Sequence, residues 1–319
     1  MQRKPSGRRP GAPAILLAPL AVALVLTLFA WPSARLEPRD LPVGVAGLSG
    51  AATAVVQQLE RRGGAFDVHR YADEAAARAA IEDRDVYGAF VPTAAAPKVL
   101  VASAASPAVA QALTHAAEQG GGGTAAVEDV VGAPRGAALA SSVLPLVLGG
   151  MITGIAAATL AGGALARTAL LVGAAALAGV AGAAIVQGWL EVVDGDWLAN
   201  AGALGLTVLA IGATVAGAKA LFGEGGAIAG ALTMILIGNP FSGVGSAPEL
   251  LPEPVGGLGQ LLPPGAGGNL LRSTGFFDGA AAGGHVAVLL AWTLGGLALL
   301  GLAALRERRS APALAGAPA

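Results

Sequence analysis

"TMILIGNPFSGVGSAPELLPEP", residues 233–254, begins as an apolar run and then breaks its own pattern. Asn239 and Pro240 interrupt it, glycines and serines follow, and two acidic residues sit among prolines. The run before the break, "AIAGALTMILIG" (Ala227–Gly238), has 12 residues, whereas a helix needs about 20 to cross hydrocarbon. Carried through Asn239 and Pro240 to Pro248, the stretch reaches 22 residues. Read this way, residues 227–248 form one span kinked inside the membrane. Pro240 has no N–H to donate to the carbonyl of Leu236, and its ring opens that turn. A break of this kind is tolerated only where protein or a water-filled cavity covers the freed backbone groups. Asn239 and Ser242 are candidate partners for them. The competing reading ends a short span at Gly238 and makes the rest an ordinary loop.

The rest of the chain decides how many such crossings are needed. Of its 319 residues 55% are hydrophobic and only 12% are charged, about half the charge of a typical soluble protein. The 49 glycines suit close-packed membrane helices. The charges are segregated: residues 35–135 hold nine Lys/Arg and twelve Asp/Glu, more than half of the total. A polar domain is thus inserted into an apolar protein. No cysteine is present, which excludes disulfides, thiol catalysis and cysteine-based metal sites.

Five runs are long enough to span on their own: Ala12–Trp31, Leu139–Ala161, Ala169–Leu190, Trp197–Ala218 and His285–Leu305. The first follows Arg3, Lys4, Arg8 and Arg9 and reads as an uncleaved anchor. A signal peptide is the alternative, but the core is long and Trp31-Pro32 falls where a cleavage site needs small residues. Positive charge then alternates between the links. Arg167, Lys219 and the tail's Arg306, Arg308 and Arg309 fall on one side, and Glu191, Asp194 and Asp196 on the other. Both termini are therefore expected in the cytoplasm, which requires an even number of spans. The expected fold is a polytopic α-helical membrane protein with six transmembrane helices and a small extracytoplasmic α/β domain between the first and second. Residues 1–11 form a cytoplasmic basic terminus, 12–31 the first helix, and 32–138 the outer domain with its Gly-rich linker. Residues 139–305 hold five helices, and 306–319 a cytoplasmic tail. Within 249–284, two short re-entrant or interfacial helices are expected at the outer face.

In the outer domain, residues 41–47, 65–71, 86–92 and 98–104 read as strands. Helices lie between them, one capped by Asp73 and one with Ser106 as N-cap and Pro107 at the first position. The glycines at 120–123 read as a linker, and residues 36–120 are expected to fold alone. His69, His115 and His285 have no ligand-spaced partners and read as surface, packing or interfacial residues. No P-loop, zinc-protease or serine-hydrolase motif occurs, and no basic patch supports nucleic-acid binding. No catalytic residue, cofactor or metal is expected, nor a charged residue at mid-depth of a span.

Three stretches, "IEDRDVYGAFVP" (81–92), "GNPFSGVGSAPELLP" (238–252) and "LGQLLPPGAGGNLLRSTGFFDG" (258–279), resemble the phage infection protein (YhgE/Pip) group of the ABC type-2 permease-like membrane proteins. The resemblance implies a bacterial plasma-membrane protein, a homodimer or heterodimer in the lipid bilayer, served by a separate ATP-hydrolysing subunit. It also implies short outer helices capping a pathway, whose helix break and gate would comprise Gly238, Asn239, Pro240, Ser242, Pro263, Pro264, Arg272 and Asp278. The implied function is export of an amphipathic or lipid-like substrate or a peptide. The alternative is a non-transporting envelope protein whose outer domain binds a partner or wall component. The link around Arg167 departs from such permeases, which place a coupling helix for the ATPase there.

Overall fold

The computed structural model of the protein describes residues 12–93, 98–120, 126–133 and 137–310. It is mostly helical, and five helices are long and apolar enough to cross a membrane. They are α1 (Ala12–Ala34), α5 (Ala137–Leu160), α6 (Gly163–Ala183, continued by a π-turn Ala184–Trp189), α7 (Trp197–Phe222) and α11 (Ala282–Ser310).

Helix α7 is the axis of the bundle, and small residues put it there. A Cβ on Gly179 of α6 would strike Ala201 and Gly205, and one on Gly154 of α5 would strike Gly212. Gly217 faces Gly296 of α11 equally closely. Without side chains at these points the backbones approach to direct contact, which drives helix association where lipid offers no hydrophobic gain. The outward faces are the reverse: Ile152, Leu177 and Leu294 are 68%, 72% and 64% exposed. A contiguous apolar surface of this extent is foreign to a water-soluble monomer.

At one end of the bundle sits an α/β domain. Its sheet has the order β2-β1-β3-β4-β5, with β1 (Leu41–Ala46), β2 (Phe66–Tyr71), β3 (Gly88–Val91), β4 (Lys98–Val101) and β5 (Ala126–Asp129). All pairs are parallel except β3 with β4. Three helices pack on it: α2 (Gly50–Glu60), α3 (Glu74–Glu82) and α4 (Pro107–Gly120). Asp73 accepts from the Ala76 N–H, and Ser106 from the Val109 N–H, as N-caps do. Strand β5 lies within residues 32–138 but beyond the segment 36–120 that was expected to fold alone. Its Glu128 bridges Arg78 of α3 and Lys98 of β4 at 2.5 and 2.7 Å, fixing the edge. The domain's cores also extend past residue 120. Ala247 and Leu250 complete one of them, and Phe277 the other. Residues 36–120 therefore omit an edge strand and part of both cores.

One expectation for the second half of the bundle needs correction. Residues 227–248 are not one kinked helix. Helix α8 (Glu224–Leu232) runs on as a π-turn (Thr233–Gly238) and stops there. These fifteen residues extend about 22 Å at α-helical rise. Pro240 leaves a gap in the hydrogen-bond ladder, which makes one more helical bond, from the Phe241 N–H to the Ile237 carbonyl, before Gly243 takes φ +65°, a conformation only glycine adopts freely. The chain nevertheless continues as turns to the domain end, where the Glu37 N–H donates to the Leu250 carbonyl at 3.1 Å. Residues 224–250 are thus part helix and part irregular chain.

Residues 249–284 contain the two expected short helices, and the second is packed into the bundle. After a 3-10 turn (Pro248–Leu250), α9 (Val255–Gln260) descends and α10 (Pro263–Phe276) returns between α7, α11 and α5. Twelve of the fourteen residues of α10 are buried. Gly267 fits against Thr207, Gly268 against Val244 and Gly275 against Val193. The low bulk that makes the sequence look like a weak interfacial helix is what lets it enter the bundle.

Candidate functional site

The broken passage and the α9–α10 hairpin satisfy each other. Turns in residues 239–247 leave carbonyls without helical partners, and in a low-dielectric interior each orphan costs roughly 1–3 kcal/mol. Gln260 Nε2 donates to the Ser242 carbonyl at 2.8 Å, and Arg272 Nη2 to the Val244 carbonyl at 2.8 Å. Asn269 ties the two together. It donates to Gln260 Oε1 at 2.6 Å and accepts from Arg272 Nη1 at 2.8 Å. Ser242 Oγ donates to the Asn239 carbonyl, and the Pro264 ring lies against Gly238, where a Cβ would come within 2.7 Å of it. Lower on the hairpin, Trp292 Nε1 of α11 donates to the Leu261 carbonyl at 2.7 Å.

The α/β domain reaches into this network through one side chain. Helix α3 ends in a Schellman motif: the Asp85 N–H bonds the Ala80 carbonyl and the Arg84 N–H the Ile81 carbonyl. Its left-handed position normally belongs to glycine, yet Arg84 holds it at φ +65°. The side chain gives the reason. Nη1 donates to the Asn269 carbonyl at 3.2 Å and to Ser273 Oγ, and Nη2 lies 3.4 Å from Asn269 Oδ1. The guanidinium also stacks 5.3 Å from the centre of the Phe277 ring. Arg84 therefore latches the domain onto α10.

Between domain and hairpin lies an open cleft of about 440 Å³, with Arg84, Tyr87, Glu249, Gly257, Asn269 and His285 among its walls. Tyr87 donates to Glu249 Oε2 at 2.7 Å, and burial with that carboxylate pushes its phenol above the ordinary range. Burial also holds the Arg84 guanidinium below its usual value. Behind the wall, Arg272 is 2% exposed and its Nε has no hydrogen-bond partner. Among the described residues no carboxylate forms an ion pair with Arg84 or Arg272. The arrangement can hold a charged polar group at the foot of the domain while keeping broken backbone covered.

Of the residues expected at a gate, Gly238, Asn239, Ser242, Pro264 and Arg272 converge on this network. Pro240 supplies the break beside them. Pro263 opens α10 at a first-turn position that lacks a hydrogen-bond partner anyway. Asp278 stands apart, exposed in the α10–α11 turn at φ +49°. Arg272 is buried on α10, which is not among the five helices long enough to span. Arg84, Gln260, Asn269 and Ser273 escape the sequence reading. The one local signal is the absence of glycine after α3 in "IEDRDVYG". No protein-family model, curated protein or solved structure matches the chain.

Proposed function

We propose that the protein is a permease-like integral membrane protein of the bacterial plasma membrane, exporting an amphipathic or lipid-like substrate or a peptide. The observation that carries this reading is the broken passage and re-entrant hairpin lying directly beneath an open cleft. Irregular backbone inside a helical bundle is tolerated where it lines a pathway, and here the α/β domain is tied to the hairpin beside it through Arg84. Charge asymmetry supports the orientation. Arg167, Lys219, Arg306, Arg308 and Arg309 cluster away from the domain, and Glu191, Asp194 and Asp196 lie towards it. The positive-inside rule then puts the domain outside and both termini in the cytoplasm. Helix α1, hardly covered by the rest of the chain, suits an association with a second permease subunit. The resemblance of three stretches to the phage infection protein group of the ABC type-2 permease-like proteins points the same way.

A second reading has its own observation. Helices α5 and α6 are joined by Ala161 and Gly162 alone, leaving no helix there for an ATPase to engage. This favours a non-transporting envelope protein whose outer domain binds a partner. An ATP-hydrolysing subunit, if used, would dock on the Lys219–Glu224 turn and the Arg306–Arg309 end of α11.

Alternating accessibility separates the two. Ala266, near the tip of the hairpin and fully buried, is replaced by Cys in the cysteine-free chain. In the permease reading a membrane-impermeant maleimide reaches it from the domain face in right-side-out vesicles and from the other face in inverted ones. Labelling from neither face contradicts transport and supports the receptor reading.

A further inference from the structure

Two like charges inside the protein share one neutral acceptor. Arg84 and Arg272 both bond Asn269 Oδ1, at 3.4 and 2.8 Å, and neither has a carboxylate partner among the described residues. Arg272 Nε is buried without any partner. A buried charge is expensive unless paired, and guanidinium is built to grip carboxylate or phosphate in its fork. One carboxylate, Glu249, acts on both guanidiniums at a distance and is itself bound by Tyr87; two cations facing one anion leave a place for a second, and the cleft wall at Arg84 is where it can reach them.

The rest of the cleft lining is mostly of the opposite sign, its one other arginine, Arg39, being paired with Glu37. Asp40, Asp85, Glu249 and Glu253 line it, and Glu249 is already engaged by Tyr87. Four carboxylates around the mouth repel a ligand that carries only negative charge. They attract one that brings a cation alongside its anion.

We propose that the cleft binds a zwitterionic head group, with its phosphate on Arg84 in front of Arg272 and its ammonium among the rim carboxylates. The cleft is of the size that takes small ligands, about 300–1,000 Å³, so a phosphoethanolamine group fits and acyl chains are left outside. This rests on reading the cleft as the substrate vestibule and names the class of molecule that enters it. The latch bonds from Arg84 to Ser273 and Asn269 hold the guanidinium in place, so the ligand's arrival and the docking of the domain share one side chain.

Native mass spectrometry of the purified full chain in dodecyl maltoside provides the test. The probes are dioctanoyl phosphatidylethanolamine, dioctanoyl phosphatidylglycerol and free O-phosphoethanolamine. The expected result is saturable binding of the ethanolamine lipid at least tenfold tighter than the glycerol lipid. Arg84→Gln should weaken it at least tenfold, and Arg84→Lys, which keeps the charge but loses the fork, by less. Glu253→Gln with Asp85→Asn should narrow the preference between the two lipids. Free O-phosphoethanolamine in excess is expected to compete, because recognition lies in the head group; failure to compete overturns the proposal. Equal or tighter binding of the glycerol lipid, no saturable binding, or binding indifferent to Arg84→Gln and Arg84→Lys in correctly folded protein overturns it. The Ala266→Cys measurement is independent of these outcomes. Two-face labelling without head-group binding removes this proposal and leaves the permease reading; binding without such labelling does the converse.

Discussion

Gly259→Ala is expected to unseat the α9–α10 hairpin. A Cβ at this position would overlap the carbonyl oxygen and carbon of Phe241, which are backbone atoms of the broken passage and cannot swing aside as a side chain could. Overpacking of this kind costs about 1–3 kcal/mol and more where backbone must move. Any displacement also stretches the bond from Gln260 to the Ser242 carbonyl, next along the chain. The helix-propensity gain from Gly to Ala, up to roughly 1 kcal/mol, works against this and is too small to reverse it. Gly257→Ala supplies the control. It lies in the same short helix, and its Cβ would meet nothing within 4 Å, so only the favourable propensity change remains. Thermal unfolding in detergent should show Gly259→Ala lowered by several degrees and Gly257→Ala unchanged or slightly raised. Equal behaviour of the two variants would show that α9 does not press on the break.

Arg84→Gly separates the comfort of a helix cap from the latch built on it. Glycine at the left-handed position relieves roughly 1–2 kcal/mol of backbone strain. It removes a charge-assisted hydrogen-bond set worth about 1.5–3 kcal/mol and a ring contact worth about 0.5–1 kcal/mol. The strain relief belongs to the domain's own fold, which should hold or gain, while its docking weakens by roughly 2–4 kcal/mol, or about 30–900-fold in the undocking equilibrium. The amides that report this are those of Phe277 and Gly279, both bonded to the Ser273 carbonyl next to the latch. Hydrogen exchange should quicken there and stay constant in β1 and β3. Faster exchange across the whole sheet would mean that Arg84 supports the domain rather than its attachment.

The sequence makes the long helices plain because apolar runs of twenty or more residues admit little else. Their observed ends differ from the expected ones by a few residues, where α6 slips into a π-turn and α11 begins earlier. Asp73 and Ser106 were legible as caps because each precedes an apolar pattern with the right spacing. Strand β5 was not, since four residues following a glycine run and ending in Glu-Asp carry no alternation to detect. Helix α10 was left open between an interfacial and a re-entrant place for a different reason. Its fitness for the core lies in missing side chains at Gly265, Gly267, Gly268 and Gly275, and only the neighbouring surfaces give those absences meaning. Arg272 could be singled out as a lone charge in an apolar stretch. Its companion Arg84 lies 188 positions earlier in another domain, so the pair exists only in three dimensions. The break at Asn239-Pro240 was visible, but a proline alone does not tell a bend from a stop. Gly243 and the waiting donors of Gln260 and Arg272 make it a stop.

The most direct test is a cysteine scan of residues 239–248 in the cysteine-free protein, with a membrane-impermeant maleimide applied from the domain side. Irregular chain covered by the hairpin gives an aperiodic pattern: Gly245, the one exposed position in that stretch, reacts quickly, while Ser242, Val244 and Ala247 are shielded. Protection recurring every three to four residues would instead reveal a helix that continues through Pro240, and uniformly rapid labelling would reveal a solvated loop; either result contradicts a broken passage held inside the bundle.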